Sequence, residues 1–268
     1  MKYGFIGTGC MGGALATACA KAIGPGNILL SNRSPEKAQA LAEKLGAIPA
    51  DNETITRDCD VIFLGVKPQT MAQMLLPLQP ILTGRRTPFV LVSMAAGVTI
   101  EALQDMAGGR YPVVRIMPNT ACAVGAGMTT YTCSAEVTDR QRQAVLDALA
   151  ASGLLEEIEE GLMGAASAVA GCGGAYACLF LEGLADGGVL CGLPRKKAQR
   201  MAAQMLLGMA TQALESGEHT GALKDAVCSP AGSTIAGIRK LESMSFRSAA
   251  MEAVIAAWER EREMQQQK

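Results

Sequence analysis

The residues that follow the first apolar stretch of the chain have the types and spacing of a phosphate-binding turn. They form the pattern Gly-x-Gly-x-x-Gly, directly after Phe5-Ile6 and before a segment typical of a helix at 14–22. The first glycine permits a tight turn, the second lets the backbone approach a pyrophosphate, and the third allows close packing of helix on sheet. In a chain with 30 glycines a structural turn is the alternative. We predict that the turn binds a dinucleotide at a helix N-terminus, through Gly7, Thr8, Gly9, Cys10, Met11 and Gly12.

Side chains after the predicted second strand indicate which dinucleotide is bound. A fold selective for NAD usually has Asp or Glu there for the ribose 2′-hydroxyl, whereas this chain has Ser31, Asn32 and Arg33. Hydroxyl, amide and guanidinium donors suit the dianionic 2′-phosphate of NADP. We therefore expect NADPH as the cofactor, with NADH as the second candidate. The alternative is that Ser34-Pro35 only begins the next helix, and one segment can do both.

Few side chains fit the acid that completes a hydride transfer to a carbonyl, which is commonly His, Lys or Tyr. The single histidine, His219, lies in a turn-like stretch where a solvated or capping role is more common, and residues 162–194 contain no lysine. The reduction of an imine depends less on such an acid, because an iminium carbon is already electrophilic. A hydroxyl hydrogen-bonded to the nitrogen suffices. Within residues 224–236, a loop predicted to enter a helix, Gly232, Ser233 and Thr234 present N–H groups suited to a substrate carboxylate.

The elements that position these residues follow a doubly wound α/β pattern. Near-continuous apolar runs predict buried strands at 2–6, 27–30, 60–66, 89–93 and 113–117, with helical segments such as 36–45 between them. Ligands bind at the carboxyl ends of such strands. This places Val66, Lys67 and Pro68 on the cofactor side, and the next two strands end before Ala95, Ala96, Gly97 and Asn119. Lys67 also fits a solvated loop cation.

The strand pattern stops near residue 160, and the remaining sequence is rich in Ala, Gly, Met and Leu at helical spacing. We predict a Rossmann-type NAD(P)-binding domain at 1–160 and an all-α dimerisation and substrate-binding domain at 161–268, with helices at 162–190, 194–216, 231–243 and 246–263. Residues 161–181 carry no charge and are about long enough to cross a bilayer core of ~30 Å. Their many Gly and Ala residues favour a tight helix–helix interface instead.

The overall composition argues against several classes of protein. With 24 basic and 25 acidic residues the net charge is −1, so no global field attracts nucleic acid or an anionic membrane. Nine cysteines without a Cys-x-x-Cys pair predict neither a disulfide framework nor a metal site, but small core residues in a reducing cytosol. Because Met1-Lys2 leads directly into the predicted first strand, we expect no secretory signal. We expect a cytoplasmic protein that binds a small molecule and its own copies.

The segment after residue 228 resembles a known family. Ser-Pro-Ala-Gly-Ser-Thr-Ile-Ala-Gly-Ile, followed by Leu241-Glu242 and Phe246-Arg247, is similar to the C-terminal signature of pyrroline-5-carboxylate reductase. Three further stretches, at 66–68, 95–98 and 115–120, resemble the same family. The resemblance therefore covers nearly the whole chain.

This resemblance implies reduction of the cyclic imine 1-pyrroline-5-carboxylate to L-proline by NAD(P)H, the last step of proline biosynthesis. It implies that the nicotinamide stacks near residues 66–68 and 95–97, and that Thr234 donates to the ring nitrogen. It also implies interlocked homodimers that assemble into a decamer. The substrate-binding residues would be Ser229, Gly232, Ser233 and Thr234.

Two positions depart from the family pattern. Ala231 stands where the family usually has a second glycine, and Ala226 where it commonly has asparagine; both bear on affinity and substrate breadth. Two alternatives to the implied function remain. One is a β-hydroxy-acid dehydrogenase, against which the missing lysine counts. The other is a nucleotide-binding regulator without catalysis, because dinucleotide folds host many functions.

Overall fold

A mainly parallel sheet organises the N-terminal part of the protein in the computed structural model, which describes residues 1–266. Its strands are β1 (Tyr3–Ile6), β2 (Ile28–Ser31), β3 (Ile48–Pro49), β4 (Val61–Leu64), β5 (Val90–Ser93), β6 (Val113–Met117), β7 (Gly127–Cys133) and β8 (Gly153–Glu157). The order across the sheet is β3-β2-β1-β4-β5-β6-β7-β8. All neighbours are parallel except β6 and β7.

The helices that follow these strands are α1 (Cys10–Ile23), α2 (Pro35–Leu45), α3 (Asn52–Asp58), α4 (Pro68–Leu75), α5 (Gln79–Gly84), α6 (Ile100–Ala107) and α7 (Asp139–Leu149). The central strands are buried on both faces, and two hydrophobic clusters contain their side chains together with those of the flanking helices. The sequence predicted this doubly wound α/β fold, and the structure confirms it.

The carboxyl ends of β1, β2, β4, β5 and β6 define one edge of the sheet, called the carboxyl edge below. The strand β7 runs antiparallel to β6, with Met117 opposite Thr130, so β7 begins at that same edge. The strands β3, β7 and β8 were not predicted. Three threonines interrupt the apolar pattern of β7, and β8 ends in two glutamates.

The C-terminal part is helical, with α8 (Met163–Ala166), α9 (Gly173–Leu190), α10 (Arg195–Ser216), α11 (Thr220–Ala226), α12 (Ser233–Ser243) and α13 (Phe246–Gln266). The chain divides into two compact units. One contains Met1–Cys172 and the chain from Ala257 onward, and the other is Gly173–Ala256. A domain boundary at residue 160 stays a prediction. In the first unit the last turns of α13 pack on the linker from the sheet, where Gly164 lies beside Trp258 and Glu261 is buried.

The predicted helix at 162–190 is wrong as a single α-helix, because α8 and α9 are separated by a π-helical turn at Ser167–Gly171. The segment Glu160–Leu190, 31 residues, contains an 18-residue window with a mean hydropathy of 1.5 and is long and apolar enough to cross a membrane by length and composition. Small residues do allow close packing within the second unit, since a Cβ on Gly188 would lie 3.2 Å from that of Ala198. The short helix α11 was not predicted.

Burial of the cysteines differs from the sequence expectation. Cys19, Cys59 and Cys122 are buried, and burial raises the pKa of Cys59 to about 12. The prediction of small core residues is wrong for the exposed cysteines, which are Cys10, Cys172, Cys178 and Cys191. All nine are free thiols.

Candidate functional site

The glycine turn after β1 has the geometry of a phosphate-binding turn. Gly7 has a φ of +98°, and its N–H donates to the carbonyl oxygen of Ser31 at 2.9 Å. A Cβ on Gly12 would lie 2.1 Å from the carbonyl oxygen of Gly7, and one on Gly65 2.3 Å from it. A Cβ on Gly9 would meet nothing within 4 Å. The turn is therefore tightly packed where Gly7 meets Gly12 and Gly65. It is open at Gly9, where a ligand would approach.

Beside this turn lies a cavity of about 720 Å³. It brings together residues that the sequence analysis assigned to the cofactor from three separate stretches, namely Gly7, Gly9, Asn32, Arg33, Val66 and Lys67. Ile6 and Gly65 also line the cavity, next to the turn. The other predicted cofactor residues do not line this cavity.

Two exposed cations stand at the end of the cavity next to β2. Arg33 and Lys37 both line it, and neither forms an ion pair with any residue that the structure describes. The neighbouring Asn32 accepts from the N–H of Arg33 at 3.0 Å. Free cations of this kind attract phosphate oxygens.

Ser31 differs from its predicted role as a free donor. Its side chain is buried, and its hydroxyl donates to Oδ1 of Asn52 at 2.5 Å. Ser31 lines a second cavity, of about 860 Å³, together with Asn32, Arg33 and Asn52. A contact between Ser31 and a 2′-phosphate stays a prediction.

Several lining residues were missed by the sequence analysis: Ser34, Lys37, Asn52, Thr70, Gln73, Met74 and Pro77. Ser34 and Lys37 follow β2, and Thr70, Gln73 and Met74 lie on the helix after β4, so their position after a predicted strand was the available signal. Asn52 follows β3, which was not predicted. Asn52 begins α3, beside the helix N-cap Asp51. The backbone N–H and hydroxyl of Thr54 hold the pKa of Asp51 below its ordinary value.

The turns after β4 and β5 lie at the carboxyl edge. Pro68 is the first residue of α4. After β5, the N–H of Val98 donates to the carbonyl oxygen of Ala95 at 3.3 Å, and Gly97 has a φ of +70°. Ala95 is buried, whereas Ala96 is exposed.

Asn119, after β6, uses its side chain to join three pieces of backbone. Its Nδ2 donates to the carbonyl oxygen of Ala170 at 3.0 Å. Its Oδ1 accepts from the N–H of Ala121 at 3.2 Å and from that of Met128 at 3.3 Å. Asn119 therefore fixes local structure, and a direct cofactor contact stays a prediction.

The donor set fits a phosphorylated dinucleotide. The first N–H groups of α1 are not used within the helix, and Gly9 leaves space in front of them. The Oγ1 atom of Thr8 is buried and has no hydrogen-bond partner among residues 1–266. A buried hydroxyl without a partner is rare, and a pyrophosphate oxygen would satisfy it. The residues that would hold the group are those of the turn together with Arg33 and Lys37.

In the second unit, residues 229–234, called the 229–234 loop below, form a tight turn and then enter α12. The N–H of Gly232 donates to the carbonyl oxygen of Ser229 at 3.0 Å. Pro230 and Ala231 are the central residues, and Ala231 has a φ of +57°, as the third position of a type II turn requires. A Cβ on Gly232 would lie 2.4 Å from Oγ of Ser229. A side chain at 232 would thus displace the Ser229 hydroxyl, and the left-handed φ at 231 favours glycine.

The hydroxyl of Thr234 is free. Helix α12 begins at Ser233 with Gly232 as its N-cap, so Thr234 is not a capping residue. Its side chain is exposed and forms no hydrogen bond in the part of the chain that the structure describes. The first N–H groups of α12 are available to an anion, and a substrate carboxylate at this loop stays a prediction.

His219 caps a helix, as its sequence context suggested. It is the N-cap of α11, and its Nδ1 accepts from the N–H of Gly221 at 3.0 Å. Nearby, Lys224 pairs with Asp225, and this contact raises the pKa of Lys224.

Comparison with known proteins relates both parts of the chain to one family. Residues 160–264 match the family model described as pyrroline-5-carboxylate reductase dimerisation, and residues 2–97 match that described as NADP oxidoreductase coenzyme F420-dependent. The pyrroline-5-carboxylate reductase of Escherichia coli (strain K12) is 39% identical over 262 residues, which cover 97% of this chain and 96% of that relative. The enzyme of that name from Methanosarcina acetivorans is 40% identical over 266 residues, with 98% and 97% covered.

Solved structures give the same result. The pyrroline carboxylate reductase of Plasmodium falciparum, crystallised with NADP bound, has a TM-score of 0.87 at 34% identity, with 99% of this chain and 98% of that chain covered. A pyrroline-5-carboxylate reductase from Coxiella burnetii has a TM-score of 0.90 at 31% identity, with 98% and 97% covered. This chain therefore belongs to the pyrroline-5-carboxylate reductase family.

Proposed function

We propose that the protein reduces the C=N bond of 1-pyrroline-5-carboxylate to give L-proline, with NADPH as reductant, in the last step of proline biosynthesis. The observation that carries this proposal is the extent of the similarity, which covers 97% or more of the chain. It therefore includes both the cavity beside the glycine turn and the 229–234 loop. The two sets of free donors in these places are the ones that a phosphorylated cofactor and a carboxylate substrate need.

The adenosine end of the cofactor would lie in the cavity between β2 and α4. Arg33 and Lys37 would pair with the 2′-phosphate, and Asn52, oriented by Ser31, would face the ribose. NADH lacks the 2′-phosphate, so the same residues would favour NADPH. Bound NADPH supplies the hydride.

The nicotinamide end would lie at the carboxyl edge, between residues 66–68 after β4 and residues 95–97 after β5. Val66 and Lys67 line the cavity, and Ala96 and Gly97 carry at most a methyl group, which leaves room for a flat ring. Ligands of open α/β sheets bind at this edge. Ala95 and Asn119 would hold the backbone next to the nicotinamide in place.

The substrate would be held by the 229–234 loop. The N–H groups of Ser233 and Thr234 would bind its carboxylate, because a helix N-terminus favours an anion. The hydroxyl of Thr234 would donate to the ring nitrogen as hydride adds to the adjacent carbon. Thr234 has no competing partner among the described residues, which supports this role. The carbonyl oxygen of Ser229, which accepts from the N–H of Gly232, would hold the loop in this conformation.

We propose further that the protein works in the cytoplasm as interlocked homodimers, which assemble into a decamer. The match to a dimerisation domain supports self-association. Large apolar side chains are exposed on the helical unit, among them Leu179 at 71%, Leu190 at 90% and Leu214 at 73%. An exposed apolar surface of this kind is typical of an interface. Nine free thiols agree with a reducing compartment.

The proposed reaction is tested with purified full-length protein, the cyclic imine and either NADPH or NADH. We expect loss of NADPH absorbance together with formation of L-proline, and a slower reaction with NADH. NADPH binding without oxidation would favour a nucleotide-binding regulator. Oxidation with a β-keto acid but not with the imine would favour a hydroxy-acid dehydrogenase.

A further inference from the structure

A single carboxylate oxygen joins the turn after β5 to β6 and to residues 160–171, which lead from the sheet into α9 and are called the linker segment below. Oε1 of Glu160 accepts from the N–H of Ile100 at 2.7 Å and from Nη1 of Arg115 at 3.1 Å. Ile100 is the first residue of α6 and closely follows the turn at 95–98. Arg115 lies on β6, four residues before Asn119.

The other end of the linker segment is held by Asn119. Its Nδ2 donates to the carbonyl oxygen of Ala170, within the π-helical turn at Ser167–Gly171. Such π-turns inside helices are frequent at functional sites. The linker segment is therefore fixed at its start by Glu160 and near its end by Asn119. Glu160 accepts from the backbone of Ile100 and the side chain of Arg115, whereas Asn119 donates to the backbone of the linker segment. Both contacts therefore join this segment to elements beside the carboxyl edge.

Burial makes the charged contact at Glu160 important. The side chain of Arg115 is 3% exposed and that of Glu160 is 35% exposed. The other carboxylate that acts on Arg115 is Glu261 of α13, which is 7% exposed. Burial raises the pKa of Glu261, although the hydroxyl of Ser167 and the charge of Arg115 act in the opposite direction. Glu160 is thus the carboxylate in direct contact with a buried cation, and its removal breaks that ion pair and leaves the charge of Glu261 acting on Arg115 from a longer distance.

We propose that Glu160 is a positioning residue for hydride transfer. By holding Ile100 and Arg115 on one oxygen, it keeps the turn at 95–98 and Asn119 in a fixed relation, and so sets the place of the nicotinamide ring. The inference rests on the proposed function, because it needs these turns to adjoin the nicotinamide. The phosphate-binding turn follows β1 and Arg33 follows β2, so the binding of the adenosine half does not depend on Glu160.

The test compares full-length Glu160→Gln and Glu160→Ala with Glu159→Gln. Glutamine keeps an oxygen for the N–H of Ile100 but loses the charge opposite Arg115, and alanine loses both. Glu159 is the matched control, since it is adjacent, exposed and forms no ion pair with a described residue. We expect kcat to fall about 10-fold in Glu160→Gln and further in Glu160→Ala, because small displacements of reacting groups have effects of this order.

Three further measurements distinguish a role of Glu160 in positioning from a role in folding. The affinity for NADPH, measured by fluorescence titration, should change little, while the primary deuterium isotope effect from deuterated NADPH should rise. Amide hydrogen exchange at Ile100 should become faster in Glu160→Ala and stay unchanged in Glu159→Gln.

If the Glu160 variants match Glu159→Gln in kcat and isotope effect, the inference is overturned, even where their unfolding temperatures fall. A wild-type protein that does not oxidise NADPH with the imine would overturn the proposed function and this inference together. An active wild type with unaffected Glu160 variants would overturn the inference alone.

Discussion

Arg33 is the residue on which we expect the cofactor preference to depend most. Its guanidinium lies at the cavity without a carboxylate partner among the described residues. In Arg33→Asp, the ratio of kcat/KM for NADPH to that for NADH should fall about 10- to 100-fold, since a hydrogen bond to a charged group contributes ~1.5–3 kcal/mol. The measurement is steady-state kinetics with both cofactors.

The control for this charge reversal is Arg86→Asp. Arg86 is an arginine outside the cofactor cavity, beside Arg85 and Thr87 on another surface, so its reversal should leave the ratio unchanged. If the two variants have the same ratio as wild type, Arg33 does not contact the 2′-phosphate.

Thr234 tests the substrate end of the site in the same way. The variant Thr234→Ala should lower kcat/KM for the imine by about one to two orders of magnitude, with NADPH affinity nearly unchanged. Thr234→Ser keeps the hydroxyl and should recover most of the activity. The structure excludes the helix cap that would otherwise explain a threonine here, because Gly232 is the N-cap. Full turnover by Thr234→Ala would remove the hydroxyl from the reaction.

Among the elements, the turn at the start of the 229–234 loop is strained. A left-handed residue other than glycine costs ~1–2 kcal/mol, and Ala231 is one of two such residues among those described, the other being Ser245 with a φ of +58°. Ala231→Gly should raise the free energy of unfolding by about 0.5–1 kcal/mol, less than the full strain because glycine gains freedom in the unfolded chain. Thermal unfolding at equal protein concentration measures this.

Ser245→Gly is the matched comparison, because it relieves the same strain between α12 and α13, outside the loop. Both variants should be stabilised, and Ala231→Gly should keep its activity since the turn type is unchanged. A fall in stability for Ala231→Gly with a rise for Ser245→Gly would show that the Ala231 methyl group stabilises the folded loop.

The sequence predicted those elements that have a strong local pattern. The glycine turn, the buried parallel strands and the carboxyl edge follow from apolar runs and glycine spacing over fewer than twenty residues. The strand β7 does not, because Thr129, Thr130 and Thr132 are buried by neighbouring elements although they are polar. The pattern of a loop that enters a helix and the family resemblance both pointed to the 229–234 loop.

Contacts between distant residues could not be predicted in this way. Ser31 meets Asn52 across 21 positions, Arg115 meets Glu160 across 45, and Asn119 meets Ala170 across 51. Each depends on the register of the sheet and the path of the linker segment, which no single stretch of sequence specifies. These contacts give Ser31 and Asn119 internal partners that their sequence context does not reveal.

At the scale of the whole molecule, the proposed dimer makes one strong prediction. If the cofactor unit of one subunit is completed by the 229–234 loop of its partner, a hybrid of two inactive chains should recover about half of wild-type activity by counting independent sites. One chain carries Gly9→Glu, and the other carries Thr234→Ala with Gly232→Val. The shared arrangement gives one site with both defects and one with neither.

The structure makes these substitutions suitable. Gly9→Glu places a carboxylate in open space at the phosphate turn and meets nothing within 4 Å of its Cβ, whereas Gly232→Val collides with Ser229. Mixed dimers are purified with two tags and assayed against each parent. A hybrid no more active than its parents would show that each site is built within one chain.

The packing of the last turns of α13 on the first unit bears on how the protein folds during synthesis. The sheet and linker segment are complete once Cys172 has been made, but Trp258 and Glu261 belong to the same unit. At about 5–20 residues per second, roughly 4–18 s pass before these residues are synthesised. During that interval the surface around Gly164 and Ser167 lacks its cover. Premature termination or proteolysis before residue 258 would therefore remove this cover from the cofactor unit, although the break lies at the opposite end of the chain.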